Sequence, residues 1–188
     1  MGVPATESAA QIWVRGPVAV RPESGPVQAS SPRMATHADG GTTGGGIGWV
    51  CAHGGAGATT LSRALGGVDI GTRWPDVTRG EPGRFLFVAR THAAGLQAAS
   101  RVLEAVRTGR HPAGIEPMAL VLVADAPGRL PLGLAQRVRV VGSAVRSFRV
   151  PWVPSWRMGR PVEKTPKEIT EIAAFIQTWM PVSERSSW

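Results

Sequence analysis

The sequence predicts an α/β fold of three layers, in which a mostly parallel sheet lies between helices. Two continuously apolar runs, RFLFVA at 84–89 and MALVLVA at 118–124, have the composition of strands that are covered on both faces. Between them, residues 93–109 place apolar side chains at helical spacing and end at a glycine. A strand, a helix and a strand in this order form a βαβ unit, so we expect the two strands to be parallel neighbours.

The remaining elements are predicted on either side of this unit. Before it, IGWVCA at 47–52 is an apolar run bounded by glycines and indicates a buried strand, and a glycine-rich turn leads from it to the helical segment TTLSRAL. A short strand at 68–70 and an irregular connection rich in turn residues follow. After it, LGLAQRVRVVGSAV predicts a helix, and SFRVPWV at 147–153 a last short strand that Pro151 interrupts.

The closing segment, TPKEITEIAAFIQTWM, predicts a helix with a defined start. Thr165 is expected as its N-cap, Pro166 as its first residue and Glu168 as the acidic member of a capping box. Apolar residues recur at helical spacing and predict one buried face, formed by Ile169, Ile172, Ala173 and Ile176.

Composition divides the chain into a tail, one domain and a short end. Residues 1–45 are rich in Gly, Pro, Ser, Ala and Thr, which predicts a disordered tail. An apolar cluster inside it, within residues 12–17, is either a short docking motif for a partner or a chance group. The domain is predicted to span 46–182, with a second tail at 183–188.

Cysteine content and hydropathy predict a cytoplasmic protein. Cys51 is the only cysteine, so no internal disulfide can form, and a buried thiol in a reducing compartment is expected. No run approaches the roughly 20 apolar residues that span a bilayer, and the amino terminus lacks the order of a signal peptide. We therefore expect no transmembrane segment.

The net charge of +8 favours acidic partners such as nucleic acid, anionic lipid or an acidic protein surface. Lys164 and Lys167 are the only lysines, and such a preference for arginine is also typical of a high-GC bacterial genome. Charge alone therefore does not identify the partner.

A glycine-rich loop lies between the first predicted strand and the first predicted helix. Glycines allow successive backbone N–H groups to turn inward, and the helix that follows presents its amino terminus to an anion. This context is the one that a phosphate-binding loop requires. Its residues are His53, Gly54, Gly55, Ala56, Gly57, Ala58, Thr59 and Thr60.

The loop resembles that of the ParA and MinD family of P-loop NTPases, whose deviant Walker A motif reads KGGxGKTT. The residues that match are Gly54, Gly55, Gly57, Thr59 and Thr60. His53 and Ala58 stand where the family has its two lysines. With less specificity the resemblance extends over residues 46–160. The chain thus looks like a lysine-less member of this family from a high-GC, actinobacterial source.

The resemblance implies a P-loop NTPase-like fold and a site for ATP or another nucleotide with magnesium. It implies that Thr59 lies on the magnesium side, and that Asp69, in VDIG, serves as the acidic residue after the first helix. The segment around Asp69 is shorter than the family's, so a surface aspartate in a turn is the alternative. Asp125, after a later strand, is either a Walker B aspartate or a residue near the base.

Loss of the loop lysine removes a cation that stabilises the developing charge in phosphoryl transfer, so efficient hydrolysis is not expected. No catalytic residue is assigned. Arg63, Arg73 and Arg90 are candidates for a replacement cation, and spacing does not distinguish them. His53 is either a titratable cation in place of the first lysine or a polar loop residue. The loop itself either binds phosphate or is only a tight turn.

A second candidate surface lies in an arginine-rich block at 126–162, which holds seven arginines and no acidic residue. It either attracts phosphate backbones, with tryptophans stacking on bases or anchoring a partner, or consists of solvated arginines around half-buried tryptophans. The candidate residues are Arg137, Arg139, Arg146, Arg149, Trp152, Trp156 and Arg157, with Arg129 and Arg160 flanking them.

These features support three functions in order. The first is a pseudo-NTPase with weak or no nucleotide binding that acts with a protein partner, as an adaptor in a bacterial DNA-maintenance, conjugal-transfer or secretion machine. The second is a nucleic-acid-binding accessory protein that uses the arginine-rich block. The third is an active ATPase with a replacement cation. The sequence does not predict the oligomeric state.

Overall fold

A computed structural model describes residues 46–160, 162 and 164–179 of the chain. Both predicted tails, with the 12–17 segment, lie outside the described residues, as does the end of the predicted domain. Five strands form one sheet in the order β2-β1-β3-β4-β5, and every neighbouring pair is parallel. The strands are β1 Gly48–Cys51, β2 Val68–Gly71, β3 Arg84–Arg90, β4 Glu116–Val123 and β5 Ser147–Val150.

Helices follow most of the strands. They are α1 Ala58–Leu65, α2 Ala93–Arg107, α3 Leu132–Ser143, α4 Pro154–Arg157 and α5 Lys167–Gln177. A short 3₁₀ turn, Val77–Arg79, interrupts the connection between β2 and β3. The predicted parallel pairing of β3 and β4 around α2 is confirmed. Among the described residues, no helix has both the length and the hydropathy to cross a membrane.

Two hydrophobic cores cover the two faces of the sheet. On one face, Trp49 and Val121 of the sheet pack with Leu61 of α1 and Ile172 of α5. On the other face, apolar residues of β3 and β4 pack with Leu96 of α2 and with α3. Because the central strands are buried on both sides, their sequences are continuously apolar. The predicted three-layer α/β fold is therefore confirmed.

The strand order places a switch point between β1 and β3. From β1 the chain crosses by α1 to β2 on one side, whereas β3, β4 and β5 follow in order on the other. This 2-1-3-4-5 order is one of the two common arrangements of doubly wound, Rossmann-like sheets. In such sheets ligands bind beyond the carboxyl ends of the strands at the switch point. The loops after β1 and β3 are therefore the first place to look for a site.

Trp49 anchors the start of this arrangement. Its side chain is completely buried, and Nε1 donates a hydrogen bond of 2.7 Å to the carbonyl of Gly66, just after α1. A Cβ on Gly67 would lie 2.5 Å from the carbonyl oxygen of Ile47, so this turn requires glycine. The contact fixes the end of α1 against β1.

Two sequence predictions about element ends are wrong. The capping box at α5 does not form: the N-cap is Pro166, no side chain caps the helix, and the helix begins at Lys167. Pro166 keeps an extended ψ of 141°, so it stays outside the helix. The last strand stops at Val150 rather than Val153, because Pro151 has no N–H for the ladder, and the chain turns into α4 instead.

Candidate functional site

The glycine loop after β1 leaves the amino terminus of α1 without a side-chain cap. Gly55 and Gly57 have φ values of +75° and +113°, which favour glycine. Gly57 is the N-cap of α1 and has no side chain to bond the first N–H groups. The first intrahelical bond runs from the N–H of Leu61 to the carbonyl of Gly57. The N–H groups of the first turn before Leu61 are therefore available to other acceptors.

Some of these groups point at the sulfur of Cys51. Burial raises the pKa of the Cys51 thiol, whereas the backbone N–H groups of Ala58, Gly57 and Ala56 act to lower it, and the Asp69 carboxylate adds to the rise. Cys51 is partly buried beneath the loop rather than fully enclosed. Several loop amides thus converge on one point, as they do in a backbone nest that receives an anion.

Thr59 and Asp69, assigned to the magnesium side by resemblance, are in contact. Thr59 Oγ1 donates a hydrogen bond of 2.5 Å to Asp69 Oδ2, and the N–H of Gly71 donates to Oδ1 at 3.0 Å. Both side chains are exposed. One carboxylate and one hydroxyl are donors of the type that Mg²⁺ uses when phosphate oxygens and waters complete its shell. The pair therefore fits a magnesium ion that arrives with a phosphate ligand.

His53 is not a cation in this structure. Its Nε2 receives a hydrogen bond of 3.0 Å from the N–H of Arg90, so that nitrogen carries no proton. Its Nδ1 lies 2.9 Å from the carbonyl of Gly54 and must carry the proton, because a carbonyl can only accept. His53 therefore ties the loop after β1 to the end of β3 as a neutral ring, and the alternative of a replacement cation is wrong.

The amino terminus of α2 packs closely against this link. His92 is the N-cap, and its Nδ1 accepts a hydrogen bond of 3.0 Å from the N–H of Gly95. A Cβ on Gly95 would lie 2.3 Å from the carbonyl oxygen of Arg90 and 2.9 Å from Nε2 of His53. Only glycine leaves room here. Sequence reasoning missed this requirement, because residues 53, 90 and 95 meet only in the folded chain.

Among the three arginines considered as replacement cations, Arg90 is the one at the glycine loop. Its Nε donates to the carbonyl of Gly55 at 3.3 Å, and a terminal nitrogen donates to the carbonyl of Ala124 at 2.9 Å. Arg73 instead forms a bidentate pair with Glu81. Arg63 is exposed on α1. Arg90 reaches the loop because β1 and β3 are neighbours in the sheet.

A cavity of about 150 Å³ opens between this loop, Arg90 and the segment after β5. We call it the glycine-loop cavity, and Gly57, Thr60, Arg90, Val123, Ala124, Pro151, Trp152, Val153, Trp156 and Arg157 line it. The lining includes two arginines, a hydroxyl and two indoles but no carboxylate. Such a set of donors fits an anion.

The structure separates the arginine-rich block. Arg146 precedes β5, at the amino end of the strand, and stacks on Phe148 and Phe175. Arg157, with Trp152 and Trp156, lies instead at the glycine-loop cavity, beyond the carboxyl end. Others are exposed at separate places: Arg137 and Arg139 on α3 and Arg149 on β5. The block thus lies at both ends of the sheet.

Asp125 presents an exposed side chain beyond β4, and its backbone N–H donates to Thr91 Oγ1 at 3.2 Å. Thr91 is the one buried polar residue among those described, and its own N–H donates to the carbonyl of Val123 at 3.0 Å. Thr91 therefore joins the loops after β3 and β4 and supports the position of Arg90. No sequence motif identifies it.

One comparison with known proteins finds a relative. Residues 46–173 match the model of a family described as "Family of unknown function (DUF6668)". No curated protein and no solved structure matches the chain. The matched residues include every strand, the glycine loop, Arg90 and the two tryptophans of the cavity. Since the match covers most of the 188 residues, the chain belongs to the DUF6668 family.

Proposed function

We propose that this protein is a degenerate P-loop protein, a pseudo-NTPase that binds the phosphates of a nucleotide weakly and does not turn it over efficiently. The observation that carries this proposal is the position of Arg90 over a glycine loop that has no lysine. It supplies a fixed positive charge where Ala58 cannot.

Phosphate binding is supported by three kinds of donor in one place. The amino terminus of α1 offers backbone N–H groups and the positive end of its dipole. Arg90 and Arg157 line the adjacent cavity, and Thr60 adds a hydroxyl. Each group favours an anion, and none of the residues that line the cavity opposes it with negative charge.

Slow turnover follows from how Arg90 is held. Its guanidinium already donates to the carbonyls of Gly55 and Ala124. A group held in this way can attract a phosphate but is less free to follow the charge that develops in a transition state. Losing one such stabilising donor typically costs about 10²–10³ in rate. Magnesium fits at Thr59 and Asp69, where it would neutralise phosphate charge.

The adaptor role rests on the resemblance to the ParA and MinD family. In that reading the domain keeps the architecture of the switch but not its chemistry, and serves a bacterial DNA-maintenance, conjugal-transfer or secretion machine through a protein partner. Trp152 and Trp156 border the glycine-loop cavity, so a bound ligand would order the surface that a partner meets.

Calorimetry tests the proposal. ATP and ADP are titrated, with and without magnesium, into the wild type and Ala58→Lys. We expect weak binding by the wild type and tighter binding by Ala58→Lys, with wild-type ATP turnover at background level. Silence in both proteins, when circular dichroism shows both to be folded, would leave the loop as a tight turn. Brisk, magnesium-dependent turnover that Thr59→Ala abolishes would instead support an active ATPase.

Nucleic-acid binding has weaker support, because the arginines of the 126–162 block lie in separate places and Arg146 is engaged with two phenylalanines. A gel-shift series over salt concentration tests it. Phosphate contacts by several arginines would give an affinity that falls steeply with salt. Absent or salt-insensitive binding would remove this alternative.

A further inference from the structure

A second cavity lies on the other side of the His53–Arg90 link. It has a volume of about 480 Å³ and opens beyond the carboxyl end of β1, between the segment that follows β2 and the surface of α2. We call it the α2 cavity. Its volume falls within the range of small-molecule sites, roughly 300–1,000 Å³. It does not share Arg90 or Arg157 with the glycine-loop cavity.

The floor of the α2 cavity is apolar. Val50 of β1 and Ala98 of α2 are buried and line it, and Val102 lies one helical turn further along. Trp74 forms one wall, where it is half-buried and packs edge-on against Phe85 at 6.0 Å. A fixed indole beside small aliphatic side chains leaves a flat apolar surface, which suits an aromatic ring.

The polar groups of the α2 cavity are donors. Because His92 Nδ1 accepts a hydrogen bond from the N–H of Gly95, the neutral ring carries its proton on Nε2. Arg101 adds a guanidinium from the exposed side of α2, and Thr72 a hydroxyl. None of the described side chains forms a hydrogen bond or ion pair with Arg101. None of the residues that line the cavity is acidic.

We propose that the α2 cavity binds a small planar organic anion, an aromatic carboxylate. The ring lies on Val50, Ala98 and Trp74, and the carboxylate meets Arg101 and Nε2 of His92. The apolar floor accounts for the ring and the donor set for the charge. This site does not depend on phosphate binding at the glycine loop.

The test uses 1-naphthoate as the probe and 1-naphthamide as its uncharged counterpart, titrated into the full-length chain by calorimetry. We expect saturable binding of one 1-naphthoate. A charge-assisted hydrogen bond to Arg101 predicts roughly tenfold weaker binding by the amide and by Arg101→Gln. The matched control is Arg63→Gln, which removes an exposed arginine on α1 and should bind 1-naphthoate as the wild type does.

Two further variants separate the site from its surroundings. Ala98→Leu fills the floor and should abolish binding, with folding checked by thermal unfolding. Arg90→Gln, at the glycine-loop cavity, should leave 1-naphthoate binding unchanged whatever it does to ATP. Absence of 1-naphthoate binding to the wild type, equal affinity for acid and amide, or insensitivity to Arg101→Gln would overturn the proposal.

Discussion

At the scale of single residues, the switch point depends on a contact that tolerates no added atom. Gly95 leaves just enough room for the carbonyl of Arg90 and the ring of His53. We predict that Gly95→Ala lowers the free energy of unfolding by about 1–3 kcal/mol, the usual cost of overpacking. Denaturant unfolding followed by circular dichroism measures the change.

Gly133 supplies the control, because a Cβ at that position in α3 would meet nothing within 4 Å. Gly133→Ala should raise the free energy of unfolding by about 0.5–1 kcal/mol through helix propensity. If Gly95→Ala were as benign as Gly133→Ala, the close contact of Gly95 with His53 and Arg90 would be wrong.

A second residue-scale prediction concerns the ion pair that closes the loop after β2. The hydrogen bond from Arg73 lowers the pKa of Glu81 to about 2. A carboxyl whose pKa is lowered by folding contributes stability above its unfolded value, and this contribution is lost as the pH falls through the folded value. The stabilisation should therefore be complete above the unfolded pKa of 4.5 and disappear towards pH 2.

We predict that Arg73→Gln lowers the free energy of unfolding at pH 7 by only about 0.5 kcal/mol, because the arginine is 53% exposed and solvent screens the pair. Urea unfolding at several pH values checks this, with Arg63→Gln as the control. The difference between wild type and Arg73→Gln should shrink below pH 4.5. A difference that grows as the pH falls would contradict the assigned pair.

At the scale of elements, the sequence predicts the strands and helices well because both cores impose clear periodicities. The continuous apolar runs of β3 and β4 and the helical spacing in α2 reflect burial that is local to each segment. Ends are harder, since they depend on individual backbone angles. At α5 the pattern of Thr165, Pro166 and Glu168 satisfies the spacing of a capping box, yet Pro166 remains extended.

The start of α5 gives an element-scale prediction. Because Thr165 makes no capping bond, Thr165→Ala should leave the free energy of unfolding nearly unchanged. Pro166→Asp introduces a side chain that can accept from the first turn, and should raise it by about 1 kcal/mol. Thermal unfolding of both variants measures these effects. A loss of about 1 kcal/mol in Thr165→Ala would restore the capping box.

At the scale of the whole molecule, the candidate site is assembled from segments that are distant in the sequence. The glycine loop could be predicted, because a strand, glycines and a helix follow one another directly. Arg90, Thr91 and Arg157 could not, since only the pairing of β1 with β3, and of β4 with β5, brings them to the loop. The same strand order splits the arginine-rich block, which looks continuous in the sequence.

The central claim is that Arg90 provides the positive charge that the glycine loop lacks. The most direct measurement is a calorimetric titration of ATP into the wild type, Arg90→Gln and the control Arg63→Gln. A charge-assisted hydrogen bond predicts roughly tenfold weaker binding by Arg90→Gln and no change in Arg63→Gln. Equal ATP affinity in the wild type and Arg90→Gln would contradict the claim.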